Sequence, residues 1–91
     1  MADTTTVLEE RGGNYGKFID NAEISQYLKE YMRNQASWNN LDPDQREALD
    51  NMAIKFSRIL SDGSSRNYAD NWVDIAGYAQ LVSDRLNGVI R

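Results

Sequence analysis

Neither cysteine nor histidine occurs among the 91 residues, and proline occurs once. Without cysteine, a disulfide framework and a thiolate zinc site are excluded. Without histidine, so is every nucleophile–base pair built on imidazole. No apolar run approaches the roughly 20 residues that a bilayer crossing requires. Met1-Ala2-Asp3-Thr4 lacks the basic-then-apolar order of a signal peptide, so a soluble, intracellular protein is expected. Cations are the minority charge: 10 Lys and Arg against 14 Asp and Glu leave a net −4, which argues against general attraction to a nucleic-acid backbone. No helix-turn-helix, zinc-finger pattern or basic amphipathic stripe is present, and direct DNA binding is not expected.

The remaining composition, 41% hydrophobic and 26% charged, fits one small globular domain. Residues 1–10 are expected as a flexible N-terminus, polar and frayed to Thr6 with one helical turn at Val7 to Arg11, and residues 11–91 as a single helical domain. The run Arg11-Gly12-Gly13-Asn14-Tyr15-Gly16 has three glycines in five positions and reads as a loop. From Asn21 to Asn34 the spacing of Ala22, Tyr27, Leu28, Tyr31 and Met32 predicts a helix, capped by Asp20 or Asn21. The segment Ala36 to Leu41 is a connector in which Trp38 serves packing.

The clearest start signal is Asp42 as N-cap, Pro43 at the first helical position and Gln45 three residues after the cap. The helix beginning there aligns Leu49, Met52, Ala53, Phe56, Ile59 and Leu60 on one stripe, and Ser61-Asp62-Gly63 ends it with Gly63 suited to a left-handed position. A second long helix from about Asn67 to Leu86 aligns Tyr68, Trp72, Ile75, Ala76, Ala79, Val82 and Leu86. No segment alternates as a strand would, and no repeat occurs. The fold class is therefore all-α: a small bundle of two long C-terminal helices with one or two shorter N-terminal helices. Val73, Tyr78 and Leu81 fall outside the main stripe of the last helix, which is more apolar than one buried face requires. Completion of the bundle by homo-oligomerisation, as a dimer or higher assembly through the last helix, is expected, with Gly77 permitting close approach.

The polar residues offer one constellation. Asn51, Lys55 and Arg58 lie at i, i+4 and i+7 on the first long helix; Asp70 and Asp74 lie one turn apart on the second. Like charges at i, i+4 disfavour a helix, so an external cation is implied. Three readings stand. The groups form a salt-bridge cluster; or Lys55 and Arg58 grip a phosphate while Asp and Asn groups read a base or ribose; or Asp70 and Asp74 hold magnesium for phosphate hydrolysis. Tyr15 and Phe18 could stack on a base if their segment folds over a pocket. The Glu47-Ala48-Leu49-Asp50 spacing reads as a solvated helix face, and the glycine run lacks the flanking features of a phosphate loop.

Arg11, Asn14-Tyr15-Gly16-x-Phe18, Met52-x-x-Lys55-x-x-Arg58-Ile59 and Asp70-x-Trp72-x-Asp74-Ile75-Ala76-Gly77-Tyr78-Ala79 together resemble an uncharacterised family of small helical bacteriophage proteins. The resemblance covers most of the chain from Arg11 to Leu86. The Lys-x-x-Arg-Ile and Asp-x-x-x-Asp-x-x-x-Tyr pieces are also similar to phage domains associated with nucleotide modification, and more remotely to all-α nucleoside-triphosphate pyrophosphohydrolases of the MazG kind. That likeness implies an all-helical fold, oligomeric assembly and a nucleotide-related role in the cytoplasm of an infected bacterium. The pyrophosphohydrolases bind magnesium through an ExxE and a later ExxD motif. Here no ExxE stands at a suitable distance, and only Asp74, with Asp70, could represent the second motif.

The expected function is thus binding of a nucleotide or other phosphorylated small molecule between the two long helices, in nucleotide metabolism or counter-defence. Lys55, Arg58, Asp70, Asp74, Tyr78, Tyr15 and Asn51 are the candidate ligand-binding residues. Catalysis is not favoured and no cofactor is assigned; magnesium is the ion that Asp70 and Asp74 would hold. The alternative expectation is an acidic early phage protein that binds and inhibits a host or defence protein.

Overall fold

The computed structural model describes residues 3–62 and 65–91, with backbone alone at 12–15. The described chain is 81% helical and contains no strand. Its order is α1 (Thr4–Tyr15), α2 (Phe18–Arg33), a 3₁₀ turn (Trp38–Asn40), α3 (Pro43–Ser61), a second 3₁₀ turn (Ser65–Asn67) and α4 (Ala69–Leu86). No helix among the described residues is long and apolar enough to cross a membrane.

The first helix starts earlier and ends later than its composition suggests. Asp3 Oδ1 accepts the Thr6 backbone N–H at 2.9 Å, a side-chain cap that supports the polar first turn. The same amide holds the Asp3 carboxyl below its ordinary pKa. The helix then runs through Gly12 and Gly13, where a loop is expected from sequence. Glycine tolerates a helix interior at a cost of roughly 1 kcal/mol each, and that cost does not interrupt this one. The break comes at Gly16, whose φ is +79°. A Cβ there would also meet Asp62 Cβ at 3.0 Å and Ser61 Oγ at 3.1 Å, so conformation and close approach to the end of α3 both require glycine.

Because the chain turns at Gly16, α2 begins at Phe18, and Asp20 sits in its first turn instead of capping it. Past α2, Trp38 is buried in the connector beneath the Arg33 guanidinium, 5.6 Å from the ring centre. The start of α3 matches its sequence signals. Asp42 is the N-cap, Pro43 the first helical residue, and the Asp42 N–H donates to Gln45 Oε1 at 2.8 Å. Gly63, expected as the closing residue, lies outside the described residues.

Helix α3 is the centre of the molecule, packing against α2 on one side and α4 on another, while α1 touches α2 and α3 less extensively. Its single expected stripe is consequently divided. Ala48, Ala53 and Ser57 are the residues enclosed, because small side chains let two flanking helices approach one rod. Leu49, Met52 and Ile59 are half-buried; Phe56 and Leu60 face solvent.

Helix α4 is rotated from the expected orientation. The side toward α3 carries Asn71, Asp74, Ile75, Tyr78, Val82 and Arg85, whereas Trp72 and Leu86, placed on the sequence stripe, are exposed. Polar anchors account for the rotation. Asn71 Nδ2 donates to Ser65 O at 3.4 Å, Lys55 Nζ meets Asp74 Oδ2 at 3.0 Å, and Arg85 clasps Asp44 at 2.6 Å and Asp42 at 2.8 Å. These anchors repeat along one helical face. Trp72 is left outside, its indole N–H donating to Arg66 O at 2.8 Å.

Candidate functional site

The residues singled out from sequence do not gather in one cleft. Lys55 and Asp74 do meet: the pair ties α3 to α4, with the Lys55 side chain 15% exposed and Asp74 45%. Here the cation implied by the Asp70–Asp74 spacing is Lys55, and it reaches Asp74. Asp70 has a different partner, the Tyr68 hydroxyl, which donates to its Oδ2 at 3.0 Å. Asn51 is occupied on its own helix, donating to Glu47 O at 2.9 Å and Glu47 Oε1 at 3.2 Å.

Tyr78 lines a recess of about 300 Å³ with Asp44, Glu47, Leu81, Arg85 and Ile90, near the start of α3 and the end of α4. Charges in the recess balance, Arg85 and Arg91 against Asp44 and Glu47. The two acidic partners of Arg85 raise its pKa further above the ordinary value, and Asp44 is held below the usual carboxylate range by the Arg85 hydrogen bond. The Tyr15 side chain lies outside the described residues. Among the described residues no three acidic side chains converge as a metal site would require.

Arg58 lies elsewhere, and its surroundings are the more informative ones. It lines an open-sided hollow of about 920 Å³ bordered by α1, α2 and α3, within the size range of small-molecule sites. Four cations line it: Arg11 from α1, Lys17 from the link, Lys29 from α2 and Arg58 from α3. No carboxylate occurs among its described lining residues, in a chain where acids outnumber bases. Gathering like charges is unfavourable in itself, and Arg11, Lys17 and Lys29 form no ion pair among the described residues, so the arrangement favours an anion near these three.

The floor of the hollow carries a second signal. Ser25 is 5% exposed, and its Oγ finds no hydrogen-bond partner in the protein. A buried hydroxyl without a partner typically costs about 1–3 kcal/mol, and a bound acceptor would remove that cost. Beside it, the Ser61 hydroxyl donates to Asn21 Oδ1, fastening the end of α3 to α2. At the rim, Phe18 is 84% exposed and Leu8 62%, giving apolar surface next to the cations.

Sequence spacing singled out Arg58; Phe18 was a conditional stacking candidate and Arg11 entered only through the family resemblance, whereas Lys17, Lys29 and Ser25 were not singled out. The cations come from three helices and a link, so no short motif unites them. One local signal was present: Phe18, Ala22, Ser25 and Lys29 recur at four, three and four residues, which marks one face of α2.

No curated protein and no solved structure matches the chain. Residues 2–86 match the family model described as a domain of unknown function, DUF6378, and the chain belongs to that family.

Proposed function

We propose that this protein binds a nucleotide or another phosphorylated small molecule in the hollow among α1, α2 and α3. The observation that carries the reading is the convergence of Arg11, Lys17, Lys29 and Arg58 with no acidic residue in the described lining. Arginine presents a planar fork to phosphate oxygens and lysine a compact point charge, so the set suits a polyanionic group. Ser25 would donate its hydroxyl to an oxygen of the ligand, and Phe18 would offer a face for a base. The Lys55–Asp74 pair serves the α3–α4 contact and is not part of this site. The phage likeness of the sequence favours a role in nucleotide metabolism or counter-defence in an infected bacterium.

Calorimetric titration tests it, using inorganic phosphate, pyrophosphate, nucleoside mono- and triphosphates and cyclic dinucleotides, each with and without magnesium. Saturable binding by at least one of these, weakened tenfold or more by Lys29→Ala, is expected. Absence of heat at high micromolar ligand across the panel would overturn the reading.

A second reading, inhibition of a host protein, draws on the outer side of α2, where Ile19, Tyr27 and Tyr31 are 61%, 70% and 61% exposed with Glu23 between them. A stoichiometric partner lost in Tyr27→Ala and retained in Arg58→Ala would favour it over the ligand site.

A further inference from the structure

We infer that the ligand of the hollow among α1, α2 and α3 carries phosphate groups on both sides of a nucleoside, and that the hollow seats them at two separate stations. The inference rests on the anion-site reading proposed above and adds where on the ligand the charges lie.

Helix geometry separates the stations. Ser25 and Lys29 stand one turn apart on α2 and both line the hollow, so their side chains are neighbours. The pairs Arg33–Asp50 and Asn21–Ser61 set the antiparallel register of α2 against α3, and that register brings Arg58 level with Ser25. This inner station offers a buried hydroxyl without a partner, a guanidinium, and a half-buried Lys29 ammonium that forms no ion pair among the described residues. The outer station is the turn between α1 and α2. Arg11 precedes Gly16 in the last part of α1 and Lys17 follows it directly; both are exposed and line the hollow. Asp62, whose carboxylate comes near Gly16, is not part of the lining and is engaged elsewhere. At a rise of roughly 1.5 Å per residue, Lys17 stands about 12 Å along α2 from Ser25 and about 18 Å from Lys29. One phosphate group is too small to be gripped at both stations.

The wall between the stations decides how the two charges are joined. On the hollow face of α2 that stretch is Ala22, with Phe18 beside the outer station, and Leu8 of α1 adds apolar surface. A polyphosphate chain laid across it would hold its middle charges over apolar side chains without a counter-charge, which is unfavourable. A sugar and base in the same place bury apolar surface against Ala22 and Leu8 and bring the ring to Phe18.

Calorimetry of the full chain tests the arrangement, with adenosine and guanosine 3′,5′-bisphosphates, the matching 5′-monophosphates and 5′-triphosphates, the linear dinucleotides pApA and pGpG, and pyrophosphate. The triphosphate carries as much charge as the bisphosphate but places it all on one side of the sugar, so the comparison separates geometry from net charge. A bisphosphate or a dinucleotide is expected to bind about tenfold tighter than the monophosphate and the triphosphate of the same base. Which of the two does so distinguishes a free mononucleotide from a nucleic-acid end as the source. Lys17→Ala should erase that preference, bringing bisphosphate and monophosphate within about twofold of each other, whereas Lys29→Ala should weaken every ligand. Both variants should keep their helical circular dichroism, since neither ammonium holds a partner in the fold. A triphosphate that binds as tightly as the bisphosphate, or a preference that survives Lys17→Ala combined with Arg11→Ala, overturns the inference and leaves the anion site standing. Binding of pyrophosphate without binding of any nucleotide does the same. Absence of heat from the whole panel overturns both the inference and the reading beneath it.

Discussion

Lys55 Nζ sits 3.0 Å from Asp74 Oδ2, so one cation and one carboxylate of the sequence constellation neutralise each other across the α3–α4 seam. The two partners are unequally enclosed, and that inequality makes the loss of one more costly than the loss of the other. Asp74→Asn leaves a mostly buried ammonium without its counter-charge and should cost about 1–2 kcal/mol, a value between exposed and fully buried pairs. Lys55→Met should cost less, because the half-exposed Asp74 carboxylate can hydrate. The double substitution should lie closer to wild type than Asp74→Asn alone. Urea unfolding of the four proteins measures the cycle.

Ser25→Ala separates stability from binding. The hydroxyl has no partner in the protein, so its removal should leave the unfolding free energy unchanged or raise it by up to about 1 kcal/mol. Phosphate-ligand affinity should fall three- to tenfold in the same variant. A clear loss of stability would show that the hydroxyl is already satisfied and would remove it from the site.

The Arg85 clasp predicts a defined pH dependence. Hydrogen bonding to Arg85 lowers the Asp44 pKa below its ordinary value of 3.8, so the folded state binds the proton less readily than the unfolded state. The stabilisation is complete above about pH 5 and disappears as pH falls through the lowered folded value. Arg85→Leu should therefore be less stable than wild type at neutral pH, with the difference shrinking below about pH 4. Thermal unfolding of both proteins across pH 2–7 checks the sign. Asp84, lowered by Arg91 and Gln80, should behave likewise in Arg91→Leu.

Gly16→Ala should be the most damaging conservative glycine change. It combines a φ of +79° with a Cβ contact of 3.0 Å against Asp62, and a loss of about 1–3 kcal/mol is expected. Gly88 also has a positive φ, +88°, but its surroundings are open, so Gly88→Ala should cost only about 1 kcal/mol. Chemical denaturation ranks the two.

The local signals legible in the chain were those whose chemistry is contained within a few residues. Asp42, Pro43 and Gln45 announced the start of α3, because a capping box needs only its own turn. The all-helical class came from periodicity. Asp3 was harder to recognise, since its cap precedes a polar turn with no apolar face to mark it. The glycine run was misleading for a related reason: glycine permits a turn without demanding one, and here the demand arises only at Gly16, where α3 comes close.

Residue order alone dictates four properties of this protein: the absence of thiol and imidazole chemistry, the all-helical class, the start of α3 and the surplus of apolar residues on α4. Packing in three dimensions decides which way each helix faces and which charges share a site. Hydrophobic periodicity sets a stripe, but Asn71, Asp74 and Arg85 turn α4 away from it, because burying a polar group requires its partner to be at hand. Lys55 and Arg58, three residues apart on α3, serve different places for the same reason. One meets Asp74 across the seam with α4, and the other joins Arg11, Lys17 and Lys29, cations that come together only when α1 and α2 fold against α3.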